Sequence, residues 1–80
     1  MKPEKVIRIG SISASVFVNE VGKDGDKKTF RNVNLQRRYK DGDEWKSSSS
    51  FGLGDLPQAI EVLRRAMDYV AAQEAESPAN

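Results

Sequence analysis

The sequence predicts an α+β domain in which a four-stranded antiparallel sheet is followed by one C-terminal helix. Three observations carry that expectation. Between Ile12 and Asn19, apolar and polar residues alternate with a period of two, the pattern of a strand buried on one face. Two Asp-Gly dipeptides, Asp24-Gly25 and Asp41-Gly42, punctuate β-rich stretches as hairpin turns. After Asp55 the apolar spacing changes to that of a helix.

Residues 1–4 read as a flexible N-terminus, 5–74 as the single domain and 75–80 as a disordered tail. Residues 5–9 (KVIRI) are β-rich, and Gly10 permits a bend or bulge. In the second strand Ile12, Ala14, Val16 and Val18 form an aliphatic face. Ser11, Ser13, Ser15, Phe17 and Asn19 form the other, with hydroxyls and one exposed ring. Residues 20–28 are a polar loop around Asp24-Gly25. The third strand spans residues 30–40. Val33, Leu35, Arg37 and Tyr39 share one of its faces, and Asn32, Asn34, Gln36 and Arg38 share the other.

The second hairpin has two open registers. A two-residue turn at Asp41-Gly42 sets Lys40 opposite Asp43 and puts Trp45 on the Gln36/Arg38 face. A loop one residue longer sets Trp45 opposite Tyr39 and Phe51 opposite Val33. The longer loop is preferred, because it gathers Val33, Leu35, Phe51 and Leu53 into one apolar group. The serine run at residues 47–50 reads as an edge strand bracketed by Trp45 and Phe51.

Asp55 opens the helix, and Asp55 to Gln58 has the spacing of a capping box. Pro57 is tolerated in the first turn. Leu56, Ile60, Leu63, Met67 and Val70 form one apolar stripe, and Ala59, Val62, Ala66 and Tyr69 a second. One stripe covers the sheet. The other either widens that contact or finds another partner, and a homodimer seam is the preferred expectation, which is also the simplest added stability for a chain this short.

The chain has 80 residues and no Cys or His. It therefore has no disulfide, no Cys/His zinc site and no familiar nucleophile–base pair, and it reads as a non-enzyme without cofactor or metal. The acidic pairs Asp24/Asp26 and Asp41/Asp43 lack the calcium-loop pattern. The absence of Cys fits a cytoplasmic protein, and no run has the length of a membrane span. The net charge of +1 hides a division. Residues 1–54 hold eleven Lys/Arg against seven Asp/Glu, a balance of +4, and residues 55–80 hold two against five, a balance of −3. A polyanion bound at the basic part is the natural expectation.

From Lys27 to Lys46, seven basic residues interleave with Phe30, Tyr39 and Trp45. Cations neutralise phosphates and aromatic faces stack on bases without regard to sequence. The expected ligand is single-stranded nucleic acid, DNA or RNA. Arg8, Lys28, Arg37, Arg38, Lys40 and Lys46 would meet phosphates. Phe17, Phe30, Tyr39 and Trp45 would stack, and Ser13, Asn34, Gln36, Ser48 and Ser50 would hydrogen-bond backbone or base edges. The alternative is a protein-interaction module that accepts a peptide strand along residues 47–50.

Element order and local patterns resemble the positive cofactor four family of transcriptional coactivators. Its relatives include small bacterial single-stranded-DNA-binding proteins and the plant Whirly proteins. The matching pieces are Ile9-Gly10 before a long strand, residues 33–39 (VNLQRRY), Gly42-Asp43, and Phe51-Gly52-Leu53 leading into the helix. The likeness covers residues 7–72. It implies a curved sheet, dimerisation through the helix, and a role as a transcription, replication or repair accessory factor binding single-stranded DNA, nucleoid-associated if bacterial. Tyr39 falls where that family carries a DNA-stacking aromatic, and Gln36 falls near a family arginine. Ser48 and Ser49 stand where the family has a Gly-flanked basic pair, and Asn19 lies near the place of another basic residue.

Overall fold

The computed structural model describes residues 2–22 and 25–75. Four strands, β1 (Lys5–Ile9), β2 (Ile12–Val21), β3 (Lys28–Asp41) and β4 (Glu44–Ser48), form one antiparallel sheet in the order β1-β2-β3-β4, and α1 (Leu56–Ala75) follows. The expected fold class is the observed one. The helix includes Ala75, and residues 76–80 of the expected tail lie outside the described residues, as does Asp24 of the first Asp-Gly turn. No described helix is long and apolar enough to cross a membrane.

Two tight turns fix the registers. Ile9 pairs with Ile12 around Gly10-Ser11, and Asp41 pairs with Glu44 around Gly42-Asp43. Gly10 has φ +59° and Gly42 has φ +64°, while among the described residues no non-glycine has positive φ. A positive φ at the first central residue alone is the pattern of a type II′ hairpin, which wants glycine there. This corrects the preferred register of the second hairpin. Asp41-Gly42 does not form the two central residues, because the turn slides one residue on and gives Gly42 the first position. Lys40 then faces Trp45, and Tyr39 faces Lys46 rather than Trp45. Trp45 lies on the Gln36/Arg38 side, as in the shorter alternative.

The core forms where β2 meets α1. Ile12, Ala14 and Val16 are fully buried, together with Ala59, Val62 and Ala66 of the helix. Ile7, Ile9, Leu35 and Phe51 pack around them. The expected grouping of Phe51 with Leu53 fails. β4 ends at Ser48, so neither residue is in the sheet, and Leu53 is 85% exposed.

At the helix start the Asp55 carboxylate turns back to accept the Gly52 N–H at 2.9 Å and lies 3.5 Å from Arg37 Nε. At the other end Glu4 ties the chain to the sheet. Its N–H donates to Val16 C=O at 2.7 Å, and its carboxylate accepts from Arg31 Nε at 2.7 Å and Nη2 at 3.1 Å. Those hydrogen bonds hold the Glu4 carboxyl below its ordinary value.

The two apolar stripes of α1 divide as their spacing implies. Ala59, Val62 and Ala66 point into the sheet. On one flank of that stripe, Gln58 lies against Gly10 and Tyr69 beneath Lys5 Nζ at 5.9 Å, so this flank looks towards β1. On the opposite flank, a quarter-turn round and facing away from β1, Leu56, Ile60, Leu63 and Met67 are 43%, 67%, 44% and 62% exposed. The molecule measures 50 × 23 × 16 Å.

Candidate nucleic-acid interface

Alternation and register sort every strand side chain onto one of two faces. The helix side carries Ile12, Ala14 and Val16 of β2, and Val33, Leu35, Arg37 and Tyr39 of β3, which neighbour Ser48 and Lys46 of β4. The opposite face is bare of helix. Across it run three rows: Arg8–Ser13–Gln36, Val6–Ser15–Asn34 and Phe17–Asn32. Asn19 stands beside Phe30 at one end, and Arg38–Ser47 and Lys40–Trp45 continue at the other.

Charge is segregated between these faces. Among the described residues, no strand residue on the open face is acidic. Its cations, Arg8, Lys28, Arg38 and Lys40, form no ion pair with any described residue. On the helix side each strand arginine and Lys46 is taken. Arg31 pairs with Glu4, Arg37 reaches Asp55, and Lys46 meets Asp41 at 2.9 Å. The helix cations are also spent. Arg64 and Arg65 both hydrogen-bond Glu61, pulling its carboxyl down to about 2. Among the described strand residues, the unpaired cations therefore lie on the open face, interleaved with hydroxyls, amides and rings, with Lys5 the exception on the helix side.

Rings bracket that face. Phe17 and Phe30 are diagonal neighbours across β2 and β3. Trp45 lies at the far end, about 33 Å from Phe30 at strand rise. Trp45 is 60% exposed, with Arg38 Cζ 5.2 Å and Lys40 Nζ 5.9 Å from its ring centre. These cations lie at cation–π distance and leave the ring accessible. Beside Trp45, where the β1–β2 turn meets the second hairpin, Arg8, Gly10, Ser11, Arg38 and Trp45 line a cleft of about 320 Å³. Two guanidinium groups and one stacking surface in a single cleft suit a base with an adjoining phosphate.

Of the residues nominated from the sequence, the open face gathers Arg8, Ser13, Phe17, Lys28, Phe30, Asn34, Gln36, Arg38, Lys40 and Trp45. Ser13 is only 8% exposed and supports its neighbours rather than presenting a hydroxyl. Arg37, Tyr39, Lys46 and Ser48 lie on the reverse face. Arg37 Nε donates to Ser50 C=O at 3.0 Å, and its guanidinium carbon is 5.3 Å from the centre of the Tyr39 ring. Ser50 follows β4, its N–H bonded to Ser48 Oγ at 3.0 Å. Of the nine residues assigned to a helix seam, Ala59, Val62 and Ala66 belong to the protomer's own core, and Tyr69 and Val70 are half-buried. Leu56, Ile60, Leu63 and Met67 remain exposed.

Gly10 and Ser11 of the cleft were not foreseen. Their part follows from β2 stopping at Ile12 while β3 runs on to Asp41, an offset that no local pattern encodes. Compared with protein-family models, curated proteins and solved structures, the chain finds no match.

Proposed function

We propose that the protein binds single-stranded nucleic acid, DNA in the first instance, along the helix-free face of its sheet and with little regard to sequence. The observation that carries this is the segregation of charge. Of the strand cations on the helix side, Arg31, Arg37 and Lys46 are neutralised and Lys5 stands over the Tyr69 ring, whereas those on the open face have no described strand carboxylate beside them. Rings among such cations favour a polyanion with flat, stackable units over an acidic peptide. The likeness in strand order and local pattern to the positive cofactor four family points the same way.

The test is a titration with a short oligo-dT strand, followed by Trp45 fluorescence at low and high salt. Quenching that weakens steeply with salt supports the proposal, and no response at low salt sinks it. Arg38→Ala is expected to lower the slope of log K against log salt by about 0.7, one phosphate's worth on a single strand. Arg37→Ala is expected to leave that slope alone, because this guanidinium is turned to Ser50 and Asp55. Equal slopes for the two variants would assign the wrong face.

The proposal includes a homodimer that uses the exposed helix flank. Four large apolar side chains along one flank of a single helix are a large apolar surface for an 80-residue chain. Leu63→Asp puts a charge there, where the side chain is 44% exposed, and is expected to halve the light-scattering mass with the circular dichroism unchanged. A wild type already monomeric at tens of micromolar would remove the seam.

A further inference from the structure

β3 is longer than the strand that covers it on its outer side. Pairing with β4 occupies Arg37 to Asp41 only, so residues 28–36 present a bare backbone edge there. Among the described residues, no backbone hydrogen bond outside the sheet ladders reaches that edge. Arg38 N–H donates to Ser11 C=O on the β2 side. Alternation along the strand therefore turns the N–H and C=O of Thr29, Arg31, Val33 and Leu35 outward. Monomeric sheets blunt such edges with proline, bulges or free charges. This one has no proline, its arginine is folded back onto Glu4, and its free cation, Lys28, stands only at the very start of the strand. The exposed helix flank of Leu56, Ile60, Leu63 and Met67 is turned towards this same side of the sheet, away from β1.

We infer that a second copy of the chain docks on this shoulder, with β3 pairing antiparallel to the partner's β3 in one continuous eight-stranded sheet. The inference rests on the homodimer proposed above and specifies how it forms. β4 fixes the register. A partner strand that fills the edge and stops short of β4 must set residues 28–36 against 36–28, with the two-fold axis at Asn32. Thr29 then faces the partner's Leu35, and Arg31 the partner's Val33, as hydrogen-bonded pairs. Lys28 faces the partner's Gln36, and Phe30 the partner's Asn34, so no like charges stand directly opposite, and Arg31, diagonal to its own copy, is neutralised by Glu4. The apolar flanks of the two helices lie on the same side of the joined sheet and converge over the seam. An unrelated peptide could pair with the edge, but a copy of this chain brings the matching helix flank as well. On the other side the two open faces become one continuous basic surface.

The chain has no native cysteine, which makes a cross-link test clean. Asn32→Cys places a thiol on the two-fold axis in a non-hydrogen-bonded pair, where Cα atoms lie about 4.5 Å apart, within disulfide reach. Ser47→Cys, exposed on the same face of β4, is the control. Under mild oxidation the Asn32→Cys variant is expected to form covalent dimer at least about tenfold faster than the control, following from that proximity. In the wild type, the amides of Thr29, Arg31, Val33 and Leu35 are expected to resist hydrogen exchange within about tenfold of their even-numbered neighbours. A dimer by light scattering whose odd-numbered amides exchange freely, and whose two variants cross-link alike, would overturn edge pairing and leave a dimer held by helices alone. A monomer would overturn both. Neither result bears on nucleic-acid binding, which the oligo-dT titration reads separately.

Discussion

Replacing Trp45 with alanine is expected to lower the affinity for oligo-dT by about 1–3 kcal/mol, roughly 5- to 150-fold, the range measured for one base stacked on one ring. Trp45 is 60% exposed and supports no part of the core, so the loss should come without a change in unfolding midpoint. The variant has no tryptophan, and anisotropy of a labelled oligonucleotide supplies the reading. Because two cations lie over the ring, Trp45→Phe is expected to keep most of the affinity, whereas alanine also releases Arg38 and Lys40 from their positions. Unchanged affinity in the alanine variant would take the cleft out of the site and leave Phe17 and Phe30 as the stacking surface.

Ile12→Ala is expected to cost about 2–5 kcal/mol in a urea melt. Ile12 is fully buried, and it sits where β2, β1 and the helix converge on the smallest helix residues, Ala59 and Ala66. Short alanines let the helix approach closely but leave nothing long enough to fill a void. A chain of this length is stable by roughly 4–12 kcal/mol, so this single truncation removes a large share. Ile60→Ala deletes the same atoms from a side chain that is 67% exposed, and should cost well under half as much when measured below the dimerisation range. Similar costs at the two positions would mean that the helix packs through its other stripe.

The strands and the helix were legible because each rests on a local period. The alternation from Ile12 to Asn19 and the two helix stripes name their faces without help from the rest of the chain. The sorting of side chains on β2 and β3 was equally plain, and with it most of the open face. The second hairpin was harder, since Asp41, Gly42 and Asp43 can each occupy a central turn position. The conformational demand of Gly42 decides among them, and a one-residue slide moves Trp45 between faces. Arg37 and Tyr39 look like site residues in a linear list because they adjoin Arg38 and Lys40. Only the pleat separates them. The neutralisation of Arg31, Arg37 and Lys46 by Glu4, Asp55 and Asp41 joins residues up to 27 positions apart, and no windowed pattern reports that.

The dimensions of the protomer affect how its assembly will look in solution. Its radius of gyration is 15.3 Å, whereas a compact chain of 80 residues would have about 12 Å. A body three times as long as it is thick drags more solvent and tumbles more slowly than its mass suggests. On a sizing column a single chain will elute ahead of a rounder protein of equal mass, between the positions of a compact monomer and a compact dimer. Elution volume will therefore overstate self-association for this fold, while scattering mass and sedimentation equilibrium, which are blind to shape, will count the chains correctly.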